Sequence, residues 1–178
     1  MKIFLKGFCI GLLCLSLLGL LWFLVLQPGL TNGEAQALKE TYTQPLPGES
    51  SGELPAGKEQ PEPESLVDLS ALQAEYPDIQ GWISIPGTCV DYPVLQSSAD
   101  DPEHYLRRTY KGEHRTAGSI FFQWDCTPES KNLVVYGHNM NDGTMFAVLQ
   151  KMAKEAFRNE HSQILLQTSD GLREYHIA

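Results

Sequence analysis

The chain has 178 residues, of which 42% are hydrophobic and 20% charged, and its formal net charge is −9. This length accommodates one folded domain with shorter appendages, and an acidic balance without a Lys/Arg cluster argues against a nucleic-acid partner. Four cysteines without a Cys-x-x-Cys pair are too few for a disulfide scaffold. No His/Cys spacing is typical of a metal site, so we expect neither a metal nor another cofactor.

An apolar run at the N-terminus predicts a membrane anchor. Residues 7–26 carry no charge and, as a helix, would extend about 30 Å, the thickness of the hydrocarbon core of a bilayer. Lys2 and Lys6 precede the run, so the positive-inside bias places the N-terminus in the cytoplasm. We expect residues 1–26 to form a cytoplasmic tip and a single-pass transmembrane helix in the cell membrane, with the domain extracellular.

Two alternatives compete with a retained anchor. A cleaved signal peptide would use the small residues Ala35 and Ala37, but these lie well beyond the run, which exceeds the roughly 7–15 apolar residues of a signal peptide. A lipoprotein would need a small residue before the lipidated cysteine, whereas Leu13 precedes Cys14. We therefore interpret Cys9 and Cys14 as small lipid-facing side chains.

The next segment, residues 27–64, has the composition of a spacer. It contains six Pro, five Gly and seven Glu, with few large apolar side chains. Such a segment buries too little surface to offset the entropy lost on ordering. We expect a disordered spacer whose root-mean-square reach is on the order of 35 Å.

Residues 65–178 have the pattern of a folded domain. Leucines at helical spacing behind a Ser65/Asp68 capping pair predict a helix that ends at Pro77. Short strands are predicted at residues 82–85, 90–94, 118–124 and 132–136, and a hairpin joins 163–167 to 172–177 around Ser169, Asp170 and Gly171.

One further helix is predicted after the fourth strand. Asp142 would cap it, and its apolar face would comprise Met145, Phe146, Leu149 and Met152. Short strands with few helices favour a mainly β fold, a partly helical barrel or sandwich, over a βαβ repeat. The sequence stops within an apparent strand, which would leave a sheet edge unpaired and indicates a fragment.

His138 is the strongest candidate for chemistry. It follows the apolar strand residues 133–135 and a glycine, so it is expected to project from a strand end into a cleft. A histidine side chain can shuttle a proton near neutral pH or pair with a thiolate. Taken alone, the residue is more simply explained as a histidine satisfied by local hydrogen bonds.

Cys89 and Cys126 are the only thiols in the predicted domain. An imidazolium stabilises a neighbouring thiolate, and Cys126 could approach His138 across adjacent strands. Its surroundings predict a strand end entering a turn, which favours an inert thiol. A disulfide between the two cysteines stays open, because the sequence does not fix their separation.

The segment around His138 resembles the histidine segment of the class B sortases. Residues 136–140 read YGHNM and residues 143–146 read GTMF, with Leu149 following. The resemblance continues upstream in YPDIQGWI at 76–83, IPGT at 85–88, VDYPV at 90–94, YL at 105–106 and GSIFF at 118–122. It covers residues 65–178 in order, and the predicted anchor and spacer agree with the layout of the family.

The resemblance implies an eight-stranded β-barrel with extra N-terminal helices and a membrane-anchored cysteine transpeptidase of Gram-positive bacteria. Such an enzyme cleaves a C-terminal sorting signal of a secreted protein and holds the acyl fragment as a thioester. It then transfers that fragment to an amine on a peptidoglycan precursor or a pilin. His138 matches the catalytic histidine, which protonates the leaving amine and deprotonates the incoming one.

The sequence departs from the family in its other two catalytic residues. The family cysteine follows a Thr-Leu-Ser/Thr-Thr type strand, and the arginine lies on a later strand. Neither Cys126 nor Arg173 matches these motifs, so neither receives the role. We interpret residues 65–178 as a partial sortase domain, truncated at its C-terminus, and expect this polypeptide alone to be inactive.

Three other functions remain open. The first is an inactive, truncated, sortase-like binding module anchored in the membrane. The second is an unrelated Cys–His hydrolase that uses Cys126. The third is a purely structural anchor protein, against which the His138 motif argues.

Overall fold

The computed structural model describes residues 2–22, 27–44 and 66–177. Its α-helices are α1 (Lys2–Leu21), α2 (Gln27–Tyr42), α3 (Leu69–Glu75) and α4 (Glu155–Glu160), and two 3₁₀ helices span His104–Arg107 and Phe146–Ala153. Its strands are β1 (Thr43–Gln44), β2 (Leu66–Val67), β3 (Ile79–Ser84), β4 (Asp91–Gln96), β5 (Ile120–Phe122), β6 (Val135–Tyr136), β7 (Gln163–Thr168) and β8 (Gly171–His176).

Six of these strands form one sheet in the order β6-β5-β4-β3-β7-β8. All neighbours are antiparallel except β4 and β5, which run parallel with Val94 opposite Ile120. β3 lies at the centre, where Trp82 pairs with Pro93 on one side and with Gln167 on the other. The described domain is therefore mainly β with helices, as the sequence predicts.

Both faces of the sheet are covered, which explains the continuous apolar runs in its strands. Successive side chains of a strand point to opposite faces, so Phe121 packs in one hydrophobic cluster and Phe122 in the other. The 3₁₀ helix Phe146–Ala153 covers the Phe122 face through Val148 and Met152. α3 covers the Phe121 face through Leu69 and Leu72.

Several local predictions are confirmed. The predicted helix is confirmed as α3 and ends before Pro77, but its predicted start at the Ser65/Asp68 pair is wrong, because Leu66 lies in β2. Asp68 is itself the N-cap of α3, since its carboxylate accepts a hydrogen bond of 3.0 Å from the Ala71 amide. The turn between β3 and β4 contains Gly87, whose φ of +74° favours glycine. β7 and β8 form the predicted hairpin.

The helix predicted to begin at Asp142 is wrong in type and in start. The Asp142 carboxylate instead accepts bonds from the Thr144 amide (2.9 Å) and hydroxyl (2.6 Å), and so closes a turn at Gly143. The helix that follows is a 3₁₀ helix from Phe146 to Ala153 without a side-chain cap. Its predicted apolar face is also wrong at Leu149, which is 39% exposed.

The structure departs from the predicted spacer at α2, which is a helix rather than disordered chain. Thr31, Ala35 and Leu38 recur at helical spacing and are each buried, at 3%, 6% and 6% exposure. Ala35 joins the cluster on one face of the sheet and Leu38 the cluster on the other. Burial of this stripe offsets the cost of ordering that composition alone predicts. The remainder of the predicted spacer, residues 45–64, lies outside the described residues.

The predicted transmembrane helix stays a prediction. Among the described residues, no helix is both long and apolar enough to cross a membrane. The predicted span extends to residue 26, and residues 23–26 lie outside the described part of the chain.

Candidate functional site

His138 lies two residues beyond the end of β6, half-buried beneath the sheet edge. Its Nε2 is 2.9 Å from the carbonyl oxygen of Leu106. Because a carbonyl oxygen only accepts hydrogen bonds, Nε2 carries the proton, and Nδ1 of the neutral ring is left as the basic nitrogen. The main-chain oxygen of His138 accepts a bond of 2.9 Å from the Phe146 amide.

Gly137 allows the Phe146 ring to pack directly against the main chain that precedes the histidine. A Cβ on Gly137 would meet the Phe146 ring at 2.7 Å and Ile120 Cγ1 at 3.2 Å, distances too short for ordinary contact. The glycine is therefore required by a close approach, which keeps the loop pressed against β5.

Met145 closes the other side of the histidine loop in a strained conformation. Its φ is +56°, and it is the only non-glycine residue with positive φ in the described ranges 2–22, 27–44 and 66–177. Met145 forms an isolated β-bridge with Asn139, and it is 1% exposed. Its amide donates a hydrogen bond of 3.2 Å to the hydroxyl of Tyr92. Surrounding contacts of this kind are needed to hold a non-glycine residue there.

The Leu106 carbonyl that receives His138 is also held firmly. Gly118 has a φ of +57°, and a Cβ there would lie 2.2 Å from the Leu106 oxygen. The neighbouring Tyr105 accepts a 2.9 Å bond from the Ser119 amide at its carbonyl and donates its hydroxyl to the Asp78 carboxylate. Burial, followed by this bond, raises the pKa of Tyr105 above its ordinary value.

An open polar depression adjoins the same segment. At its rim, the Asp101 carboxylate and His104 Nδ1 form a hydrogen bond of 2.9 Å. It is lined by Asp101, Glu103, His104, Leu106, Arg107, Arg108 and His114. Both signs of charge are present, so the depression offers donors and acceptors rather than a field of one sign.

The structure does not bring either domain thiol into hydrogen-bond contact with His138 among the described residues. The Cys89 thiol donates to the Gly143 carbonyl at 3.2 Å, and burial raises its pKa. The Cys126 sulfur is buried and lies 3.6 Å from the Asn132 carbonyl. Both thiols are free, so the disulfide left open by the sequence is absent, and a Cys126–His138 pair is not formed.

The Arg173 guanidinium is likewise bound to groups other than His138. It donates to the Pro128 carbonyl and pairs with Asp170 at 3.2 Å. In the described ranges, no group of three or more His, Cys, Asp or Glu side chains could hold a metal ion. Among the described candidate residues, only His138 lies in a loop whose ring and main chain are both held by hydrogen bonds. The sequence does not predict that Leu106 and Tyr92 help to hold the histidine loop, because neither residue type is reactive.

The chain is similar to known proteins in sequence and in fold. A family model described as the sortase domain matches residues 83–178. Sortase B of Listeria monocytogenes is 41% identical over 112 residues, which are 62% of this chain and 44% of that protein. Sortase B of Staphylococcus aureus is 40% identical over 100 residues, which are 54% of this chain and 39% of that protein.

Solved structures give the same result. A Bacillus anthracis protein described as similar to sortase B has a TM-score of 0.60 at 32% identity, covering 81% of this chain and 62% of its own. A Staphylococcus aureus sortase B–substrate complex has a TM-score of 0.55 at 34% identity, covering 61% and 50%. A sortase B complexed with triglycine has a TM-score of 0.56 at 34% identity, covering 61% and 51%.

The chain spans less than half the length of the two curated relatives. The matched segment, residues 83–178, nevertheless makes up more than half of the chain and contains the histidine loop. The sheet, with its covering helices, matches the sortase fold. The chain belongs to the sortase family, and the relatives that it matches are of class B.

Proposed function

We propose that the protein acts as a membrane-anchored cysteine transpeptidase and that His138 is its acid–base catalyst. The observation that carries this proposal is the fixed orientation of the ring, whose Nε2 is bound to the Leu106 carbonyl. A ring held in this way presents Nδ1 for proton transfer without further reorganisation. Nδ1 would take the proton of the attacking cysteine thiol and deliver it to the leaving amine of the cleaved peptide. In the second half of the reaction it would remove a proton from the incoming amine and return it to the cysteine sulfur as the thioester is cleaved.

The proposed partners follow from the relatives. One solved sortase B is a substrate complex and another holds triglycine, a peptide that carries a free amine. These titles support a peptide donor and an amine acceptor for the present chain. The donor is proposed to be a secreted protein with a C-terminal sorting signal, and the acceptor an amine on a peptidoglycan precursor or a pilin.

The thioester chemistry needs a cysteine and an arginine beside His138. Cys126 and Arg173 are bound elsewhere, and neither is proposed for these roles. The 178 residues alone are therefore proposed to be inactive. A sortase-like binding module anchored in the membrane is the second candidate, because the histidine loop is intact without these two partners.

Sequencing the coding DNA beyond the codon for Ala178 tests the proposal. A frame that continues into a Thr-Leu-x-Thr-Cys segment and a later arginine supports transpeptidation. In the protein so encoded, His138→Ala is expected to lower transfer of a sorting peptide to triglycine by about 10²–10⁴-fold. The control His176→Ala removes an exposed histidine and should retain activity. A stop codon directly after Ala178 would contradict the transpeptidase proposal and favour the binding module.

Anchoring is proposed from the apolar run and the two lysines before it. Carbonate extraction should leave the full chain in the membrane fraction, and a variant lacking residues 7–26 should be released. Protease added outside intact cells should degrade the domain but leave the N-terminal tip protected. Protection of the domain would contradict the proposed orientation.

A further inference from the structure

The hydroxyl of Tyr92 connects helix α2 to the histidine loop. Tyr92 lies on β4 and is 4% exposed. Its hydroxyl donates a hydrogen bond of 2.6 Å to the side-chain oxygen of Asn32 on α2. The same oxygen accepts a bond of 3.2 Å from the Met145 amide. Burial raises the pKa of Tyr92 to about 12, so the hydroxyl keeps its proton throughout the neutral range.

This hydroxyl acts at the point where the loop is under strain. Met145 has a φ of +56°, a conformation that is strained for a residue other than glycine. The next residue, Phe146, donates its amide to the carbonyl oxygen of His138. Tyr92 therefore fixes the main chain of Met145, and the adjacent Phe146 in turn fixes the main chain of His138.

Helix α2 is itself anchored on the domain by charged contacts. Glu34 accepts a bond of 2.5 Å from Arg115, whose guanidinium also donates to the Gly118 carbonyl at 2.8 Å. Lys39 pairs with Asp91 at 2.8 Å, directly before Tyr92 in β4. These contacts place Asn32 in a defined position over the Tyr92 hydroxyl.

We propose that Asn32 and Tyr92 are positioning residues, through which helix α2 holds the Met145–Phe146 main chain and thereby sets the orientation of the His138 ring. The catalytic meaning of this contact rests on the proposed function of His138. The contact itself is independent of it, because it concerns only the conformation of the loop. An enzyme with α2 displaced would then retain its sheet but lose the ring orientation.

The test compares Tyr92→Phe with Tyr42→Phe in the full chain at neutral pH. Tyr92→Phe removes one hydroxyl and leaves the buried Met145 amide unpaired. Tyr42→Phe removes a hydroxyl that ties the other end of α2 to Glu75, far along the helix from Asn32. Amide hydrogen exchange at Met145 and Phe146 should accelerate about tenfold in the first variant and less than twofold in the second.

A second readout reports on the histidine directly. The Nε2 proton of His138, protected by the Leu106 carbonyl, should give an imidazole ¹⁵N-coupled NMR signal that broadens or disappears in Tyr92→Phe. It should persist in Tyr42→Phe. If Leu166 in β7 exchanges faster by the same factor as Phe146, the effect is global destabilisation and the proposal is overturned. An unchanged imidazole signal also overturns it.

Asn32 provides a variant at a less buried position. Asn32→Ala removes the acceptor of the Tyr92 hydroxyl and should reproduce the changes at Phe146 and at the imidazole. Asn32→Asp keeps an acceptor oxygen and should restore both signals. Equal behaviour of the two variants would contradict the proposal. None of these readouts requires transpeptidation, so a failure of the proposed activity remains distinguishable from a failure of this contact.

Discussion

Two glycines in the connection between β4 and β5 share a positive φ but have different surroundings. Gly118 (φ +57°) has the Leu106 carbonyl where a Cβ would lie, whereas Gly112 (φ +79°) has no atom within 4 Å of that position. Gly118→Ala should therefore lower the free energy of unfolding by at least about 3 kcal/mol. Gly112→Ala should cost only about 1 kcal/mol, the conformational cost alone. Urea denaturation of both variants measures the difference, and equal losses would contradict the close approach.

Cys89 offers a second test at the scale of one residue. Burial raises the pKa of its thiol, so less thiolate is present at a given pH than in an exposed cysteine. Alkylation of Cys89 by iodoacetamide should be slow at pH 7 and should reach half its maximum rate at a higher pH than alkylation of an exposed cysteine does. A mass-spectrometric time course at several pH values resolves Cys89 from Cys126. Fast alkylation of Cys126 that is lost in His138→Ala would support the alternative hypothesis of a Cys–His hydrolase.

The sequence predicts His138 as the candidate site residue but not the residues that hold it. Its motif lies within a few consecutive positions, so a resemblance reveals it. Leu106 and Tyr92 precede His138 by 32 and 46 residues in the sequence. A main-chain oxygen carries no signal in the residue type. A buried tyrosine in a strand is indistinguishable from an ordinary core residue until its hydroxyl partners are known.

Among the elements, the β7–β8 hairpin and the existence of helix α3 were predictable because their signals are local. The cap at Asp68 and the β7–β8 turn are each encoded within a few residues. Helix α2 was not predictable, because its stripe of buried residues is short and its stability comes from tertiary contacts. Its Arg115 partner lies on a loop far along the chain. Composition measured over residues 27–64 averages this helix with the Pro-rich segment after it.

Docking of α2 gives a prediction at the scale of an element. Arg115 is only 14% exposed in its side chain, so Glu34→Ala leaves a largely buried guanidinium without its carboxylate. We expect the free energy of unfolding to fall by about 1 kcal/mol, since Glu34 itself is 36% exposed. Glu40→Ala removes the same charge from an exposed position on α2 and should change the free energy of unfolding by less than about 0.5 kcal/mol. Thermal unfolding of both variants at low salt checks this, and equal losses would show that Glu34 contributes only its charge.

At the scale of the whole molecule, tyrosines in both hydrophobic clusters resist ionisation. Burial raises the pKa of Tyr92 to about 12. A hydrogen bond to Glu75, followed by burial, raises the pKa of Tyr76 to about 12. Burial also raises the pKa of Tyr105. A raised folded-state pKa means that stability is complete below the ordinary value near 10 and is lost as pH rises above it.

The protein should therefore unfold cooperatively between about pH 10 and pH 12. Absorbance of tyrosinate and circular dichroism should change together in one pH titration. Tyr92→Phe removes one of the late-ionising groups and should shift the midpoint, whereas the exposed Tyr175→Phe should not. Full ionisation of all seven tyrosines before any loss of structure would contradict this prediction.

The single parallel pairing in the sheet has a consequence for the order of folding. β4 and β5 are joined by residues 97–119, whereas the β3–β4 and β7–β8 connections are short. Closing a longer loop costs more chain entropy before any contact compensates for it. The Leu106 carbonyl lies inside that loop, and the histidine segment follows β5. On refolding from urea, both hairpins should thus gain exchange protection first, and the His138 site should be assembled only when the long connection closes.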